Sequence, residues 1–299
     1  MGRKNFWSPL RYPGGKIKVA SIVRDILIEN EIVGATYIEP FAGGAGVALY
    51  LLFGNYTDKI IINDFDKRIF ALWYSILNYS EELIEMIYNT PITIQEWEKH
   101  RSIVMNQDED ISLLELGFST LFLNRTNRSG IIKAGPIGGF KQQGKYLIDC
   151  RFNKEDLIYK IREINKKKSR IRLYNLDAVE FIKKVVNKQR KKAFIFFDPP
   201  YFKKGRELYT NFYSYQDHLA LYNEIKKIQK HAWITTYDVA DEIIEIYSDL
   251  SYREFIINHS AANKGKSSEL LFCSEGLVLP KSFYSLLITK DDEEVKTRS

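Results

Sequence analysis

Ala193-Phe194-Ile195-Phe196-Phe197-Asp198-Pro199-Pro200-Tyr201 is the stretch whose reading decides the fold. Its apolar residues are too few for a typical helix and rich in β-formers, and the two prolines forbid continuation as a central strand. A buried strand therefore ends at Asp198, and open α/β sheets place their ligands outside the carboxyl ends of their strands. A carboxylate, a turn stiffened by Pro199 and Pro200, and an aromatic ring at such an end can act on the exocyclic amine of a nucleobase. The amine of adenine is a poor nucleophile because its lone pair is delocalised into the ring. Asp198 would accept one amine hydrogen and the Pro199 carbonyl the other, drawing density back onto nitrogen, while Tyr201 stacks on the base. A base stacked in a duplex is out of reach, so the target would be flipped out, at a cost of roughly a few kcal/mol. Taken alone, the tetrad also reads as a prolyl turn at a strand end.

Upstream, Thr36-Tyr37-Ile38-Glu39-Pro40-Phe41 reads as another buried strand, followed by Ala42-Gly43-Gly44-Ala45-Gly46, small residues that let a ligand approach the backbone closely. The next strand ends at Asp64, the usual place for an acid that binds ribose hydroxyls. A dinucleotide fold would fit both features equally well. A third strand ends at Asp177, which either hydrogen-bonds a cofactor's adenine or caps the helix starting at Ala178; the two readings stand side by side. Before the first strand, Arg11-Tyr12-Pro13-Gly14-Gly15-Lys16 leads into Val19, Ile22, Val23, Ile26 and Leu27 at helical spacing. Strands are expected near 36–41, 59–64, 171–177, 193–198, 231–237, 253–258 and 269–274. The loop from Ala261 to Ser268 leaves no room for a crossover helix, so the last two strands should pair antiparallel.

With these segments in this order, the chain resembles the Dam-like DNA adenine-N6 methyltransferases, which use S-adenosylmethionine. The likeness spans most of the chain. It rests on Tyr12-Pro-Gly-Gly-Lys16, Glu39-Pro-Phe-Ala-Gly-Gly44, Asp64 and Asp198-Pro-Pro-Tyr201. Trp233 to Asp238 and His259-Ser260 through Lys264 to Leu271 also look like later blocks of the family. The resemblance implies an α/β fold: a doubly wound, mostly parallel seven-stranded sheet of the Rossmann-like methyltransferase type, its last strand antiparallel. It implies that Tyr12 and Lys16 hold the cofactor from the N-terminal loop, that Phe41 and Gly43 line its amino-acid end, that Asp64 binds its ribose, and that Asp198 lies between cofactor and base. Two details depart from the family pattern: Ala45 stands where a third consecutive glycine is expected, and Tyr12 replaces an indole that some members carry.

Residues 1–80 and 151–299 are expected to form the catalytic domain, and 81–150 an inserted, mainly helical lobe that reads the DNA target. In that lobe Leu113, Leu114, Leu116, Gly117 and Leu121 pack toward Phe118 and Phe122, and the glycine-broken stretch 131–146 suggests a hairpin. Between them lie Asn124, Arg125, Asn127 and Arg128, side-chain types suited to base edges and phosphates.

At 299 residues and 45% apolar content the chain can bury one large core plus a smaller lobe, and its formal charge of +6 favours a polyanionic partner. The basic clusters at 166–172 and 188–192 precede strands and so read as solvated loops at the opposite edge of the sheet. No apolar run reaches membrane-spanning length. Cys150 and Cys273 give neither a metal spacing nor a disulfide framework, and the four histidines are scattered, so no metal is implied. A cytoplasmic enzyme acting on double-stranded DNA is expected, without a membrane partner; a companion restriction nuclease and the oligomeric state are left open. An RNA adenine methyltransferase and a non-catalytic DNA-binding regulator with a retained cofactor pocket are the alternatives.

Overall fold

The computed structural model describes residues 7–11, 19–106, 110–203, 213–258 and 266–284. Seven strands, β1 (Thr36–Glu39), β2 (Ile60–Asn63), β3 (Ile171–Tyr174), β4 (Ala193–Phe197), β5 (Ala232–Asp238), β6 (Tyr252–Asn258) and β7 (Lys266–Cys273), form one sheet in the order β3-β2-β1-β4-β5-β7-β6. The pairs from β3 through β5 are parallel, and β7 runs antiparallel to both of its neighbours. The expected antiparallel hairpin of β6 and β7 is therefore present, with β7 inserted between β5 and β6. The chain departs from β1 toward β2 on one side and from β4 toward β5 on the other, so the order reverses between β1 and β4. That is the switch point at which doubly wound sheets open a crevice.

Side-chain alternation along the strands divides the core into two layers. In β4, Phe194 and Phe196 pack into one layer, whereas Ala193, Ile195 and Phe197 pack into the other. The first layer is covered by α1 (Ala20–Glu29), α2 (Gly46–Phe53), α3 (Lys67–Asn78), α4 (Ser80–Asn89), α5 (Ile94–Asn106), α6 (Leu113–Thr126) and α7 (Lys154–Lys166). The second is covered by α8 (Ala178–Lys184), α9 (Tyr215–Ile225) and α10 (Asp241–Ile246). A short α11 (Lys281–Tyr284) follows the sheet and buries Phe283. Each buried Phe, Leu or Ile contributes about 1.5–3 kcal/mol through removal from water.

The helical part of the inserted segment shares this core. Every residue of α6 from Leu116 to Thr126 is buried, and α6 lies close along α3 because Gly117 has no side chain: a Cβ there would stand 2.6 Å from the Ala71 carbonyl oxygen. The hairpin expected over 131–146 is not formed. The stretch folds as successive turns, with one isolated β-bridge, between Asn127 and Pro136. Gly138 and Gly139 hold φ of +82° and +71°, outside the extended region, and Pro136 has no N–H to give to a ladder. The Gln142 side chain does the holding instead, donating to the Ile137 carbonyl at 2.8 Å and accepting from the Ile148 N–H at 2.9 Å.

Candidate active site

The strand ends facing the switch point are joined by side chains rather than by chance proximity. Asn63, the last residue of β2, is buried; its amide donates to the carbonyls of Pro40 and Leu176 at 2.9 Å each, and its Oδ1 accepts from the Leu176 N–H at 2.9 Å. One side chain thus fastens the ends of β1, β2 and β3 to each other. Beside it the small-residue turn reverses sharply, with Gly43 at φ +45° and Ala45 at φ +46° leading into α2. The turn is held from both sides: the Gly43 N–H donates to Asp64 Oδ2 at 2.8 Å, and the Gly43 carbonyl accepts from the Trp73 indole of α3 at 2.9 Å.

Asp64 also accepts from the Asp66 N–H at 3.0 Å. Burial pushes its carboxyl up to about 7, the neighbouring Asp66 adds to the rise, and the two N–H donors and Arg68 oppose it. Phe65, next in the chain, is exposed at this rim. On β1, Glu39 is buried and its Oε1 accepts from the Tyr37 hydroxyl at 2.9 Å and the Ala48 N–H at 3.0 Å. Burial raises it to about 8 against those two hydrogen bonds, and the Asp198 charge raises it further. Glu39 is therefore mostly protonated at neutral pH.

Across the switch point, Asp198 follows β4 and is half-buried, and its Oδ1 accepts from the Thr236 hydroxyl of β5 at 3.1 Å. Beyond Pro199 and Pro200, Tyr201 is buried, and its hydroxyl donates to Glu269 on β7. The backbone N–H groups of Phe202 and Lys203 donate to the two oxygens of Asp238 at 2.8 and 3.0 Å. Asp238 and Glu269 are cross-strand partners of β5 and β7, so the turn after β4 is pinned to one pair of acids.

Asp177 accepts from the N–H groups of Val179 and Glu180 at 2.9 and 3.3 Å, which makes it the N-cap of α8. Its charge also acts on Tyr213, whose ring meets that of Phe41 edge to face at 5.9 Å. Behind Tyr213, the fully buried His218 lies 5.4 Å from it and 5.5 Å from Phe202, ring to ring. Burial lowers His218 to about 4, so it is neutral, against the opposing charges of Asp217 and Asp238.

Structure brings Phe41, Gly43, Asp64, Asp177 and the turn from Asp198 to Tyr201 to one rim. Tyr12 and Lys16 lie outside the described residues. Of the four side chains expected to face DNA, three are turned to other work. Asn124 is buried and clamps the backbone of Arg11, accepting from its N–H at 2.7 Å and donating to its carbonyl at 2.8 Å and to that of Gly130 at 2.9 Å. Asn127 is buried too, accepting from the Trp97 indole at 2.6 Å and donating to the carbonyls of Ile131 and Ile132. Arg125 is buried beneath Pro9, and burial lowers its guanidinium to about 10, with Arg11 adding to the fall. Only Arg128 of the four is exposed. No site role was read in the sequence for Asn63, Tyr213 or Trp73, the last of which reads there as one of an apolar core stripe with Ile69, Leu72, Ile76 and Leu77. Thr236, Asp238 and Glu269 fell within motif-like blocks whose individual roles the sequence did not assign.

Among the described residues no group of three or more His, Cys, Asp or Glu could hold a metal ion, and no helix is long and apolar enough to cross a membrane. A glycine turn with an acid beyond it, set against a carboxylate and prolyl turn across the switch point, is an arrangement found in α/β enzymes, whose ligands bind outside the carboxyl ends of the strands. The chain belongs to the D12 class N6 adenine-specific DNA methyltransferases, whose family model matches residues 12–262. It is accordingly an enzyme that methylates adenine in DNA. The chain is similar to the Type II methyltransferase M.MjaIII of Methanocaldococcus jannaschii, 24% identical over 204 residues, which are 64% of this chain and 68% of that protein. Among solved structures, the rRNA methyltransferase aviRa of Streptomyces viridochromogenes aligns with 88% of this chain and 86% of its own at 12% identity and a TM-score of 0.36. A SAM-dependent methyltransferase from Agrobacterium tumefaciens aligns with 86% of this chain and 61% of its own at 11% identity and a TM-score of 0.39.

Proposed function

We propose that the chain moves a methyl group from S-adenosylmethionine to N6 of an adenine flipped out of duplex DNA, with Asp198 as the acceptor that activates the amine. The donor set fits that cofactor. Gly43 and its neighbours offer bare backbone, Asp64 offers a carboxylate to ribose hydroxyls, Phe41 an aromatic face, and Asp177 a second carboxylate. Tyr12 and Lys16 would add contacts from the N-terminal loop. When bound, the cofactor would supply an electrophilic methyl group to N6, leaving as S-adenosylhomocysteine, and the proton shed by N6 would pass to solvent.

The protein's own part is positioning and polarisation. Asp198, oriented by Thr236, accepts one hydrogen of the amine, and the Pro199 carbonyl accepts the other. Positive charge develops on that nitrogen, so both hydrogen bonds strengthen toward the transition state. Tyr201, fixed by Glu269, provides the surface on which the extruded base rests. The protonated Glu39 keeps a second negative charge away from Asp198. Outside the crevice, exposed Arg128, Lys133, Lys141 and Lys145 interleave with exposed Phe140 and Tyr146 on the turns after α6, a surface suited to a phosphate backbone. The Type II relative supports reading the chain as the modification half of a restriction pair.

The observation that carries this reading is the place of Asp198, at the end of the central strand beside the switch point. Labelled methyl transfer into duplex DNA, single-stranded DNA and RNA tests it. Transfer should favour duplex DNA, and Asp198→Ala should lower it by about 10²–10³ while retaining S-adenosylhomocysteine binding. Near wild-type transfer by that variant, or preference for RNA, overturns it.

A further inference from the structure

The end of the sheet remote from the crevice carries charge for which methyl transfer has no use. Nine lysines and arginines lie in 183–192 and 226–230, and neither stretch contains an acid. Three contacts draw the two stretches together. The Lys230 ammonium donates to the Gln189 carbonyl at 3.1 Å, the Ala193 N–H donates to His231 Nδ1 at 3.2 Å, and Lys183 of α8 shares Glu224 with Lys227, which follows α9. Among the described residues the acids that pair with this group are Glu180, Glu224 and Asp249, so the surplus left is as large as the +6 of the whole chain. Lys188, Arg190, Lys191 and Lys192 are exposed and have no ion-pair partner among the described residues. The basic cluster at 166–172 differs, because its members serve the fold: Arg170 donates to the carbonyls of Thr57 and Asp58, and Lys167 lies over the Phe53 ring.

We propose that this patch holds the phosphate backbone of a second duplex segment, distinct from the one whose adenine is methylated. Lysines dominate it, and contacts from such side chains to phosphate position a duplex without reading its sequence. No large apolar side chain is exposed in either stretch, so the patch has nothing to sink into a bilayer and no apolar centre for a protein partner. Lys192 and Asp198 flank the two ends of β4, about 20 Å apart at the rise of a strand. A duplex seated over the strand C-termini therefore leaves the patch facing another length of DNA. Keeping that second length in place raises the effective concentration of further targets around the enzyme.

A bridging experiment tests this. Biotinylated duplex on beads is loaded with the full chain, washed, and offered a fluorescent duplex at rising salt. The wild type should retain the second duplex, with a log–log salt slope of about −3.6 if the four unpaired cations meet one phosphate each. The variant combining Lys188→Ala, Arg190→Ala, Lys191→Ala and Lys192→Ala should retain about tenfold less of it, while holding the first duplex within about twofold of wild type. Failure of the wild type to retain a second duplex overturns the proposal. Undiminished bridging by the variant overturns it too, since two copies of the chain joined to each other would then link the duplexes. Equal loss of both duplexes in the variant also overturns it, because the patch would then belong to one continuous binding surface. So does capture of phosphatidylserine vesicles without capture of a second duplex. Should the fourfold variant lose its cooperative melt, the pair Lys191→Glu and Lys192→Glu carries the same comparison.

Discussion

The hydroxyl of Tyr201 donates to the carboxylate of Glu269, tying the turn that follows β4 to a strand two places away in the sheet. Neither group is free to swing, because Glu269 is itself buried on β7. A ring held at its far end meets an incoming base without first losing rotamer freedom, so less of the stacking gain is offset by ordering. Glu269→Ala should raise KM for duplex DNA about tenfold, since hydrogen bonds to charged groups are worth about 1.5–3 kcal/mol. Glu269→Gln keeps an acceptor and should recover most of the loss. Steady-state kinetics of the two variants distinguish this from general damage, which Gln would not repair.

Binding of the cofactor should depend on pH through Asp64. Its carboxyl is raised to about 7 by burial, and only the ionised form accepts two ribose hydroxyls. The dissociation constant for S-adenosylhomocysteine should therefore fall as pH rises from 6 to 8. Asp64→Asn should bind more weakly and show a flat profile over that interval; a wild-type profile without slope contradicts the assignment.

Stability should carry the opposite trend from the buried acid of β1. Glu39 holds its proton up to about pH 8, whereas in the unfolded chain it loses it near the ordinary value of 4.5. Between those limits the folded state binds more protons than the unfolded one, so this group lowers stability as pH rises. Glu39→Gln retains an acceptor for Tyr37 and Ala48 and removes the titration. Urea midpoints at pH 5 and 8 should differ less for the variant than for the wild type.

Gly117→Ala should destabilise the protein despite the better helix propensity of alanine. The new methyl would stand 2.6 Å from both the Ala71 carbonyl oxygen and Ser75 Oγ, so α3 and α6 must separate. Overpacking of this kind costs about 1–3 kcal/mol. Thermal melts of the two proteins at equal concentration measure it.

Arg128→Ala should weaken DNA binding about equally across sequences and reduce the salt slope by about 1, the behaviour of a phosphate contact. Asn127→Ala should lower the melting temperature without changing which sequence is methylated, because its amide holds Trp97, Ile131 and Ile132. A changed recognition sequence in Asn127→Ala would return that residue to the DNA face.

Four of the seven strands were legible because each is a short β-forming run with a residue beyond its end that stops it: Pro40, Asp64, Asp177 and Asp198. Those same stops put the crevice residues at one edge, so much of the rim could be read without coordinates. What escaped reading depended on contacts distant in sequence. Tyr201 and Glu269 are 68 residues apart, and nothing local marks them as partners. Asn124 and Asn127 misled for a physical reason. A side-chain amide that can pair with adenine can equally pair with a backbone amide, and in and just after α6 burial decides for the backbone. The hairpin failed similarly, since glycines that permit a tight turn also permit a chain of turns without a ladder.

The stretch from Ile131 to Cys150 is braced from within by Gln142 and held to the helices chiefly by Asn127 and by backbone bonds to Thr126 and Arg128, while the crevice rests on Asn63 and the paired acids of β5 and β7. The two sets of supports are different residues. On the reading that this stretch meets the DNA, a different loop between α6 and α7 that kept the same anchor points would give the enzyme a new address in the genome without retooling its chemistry.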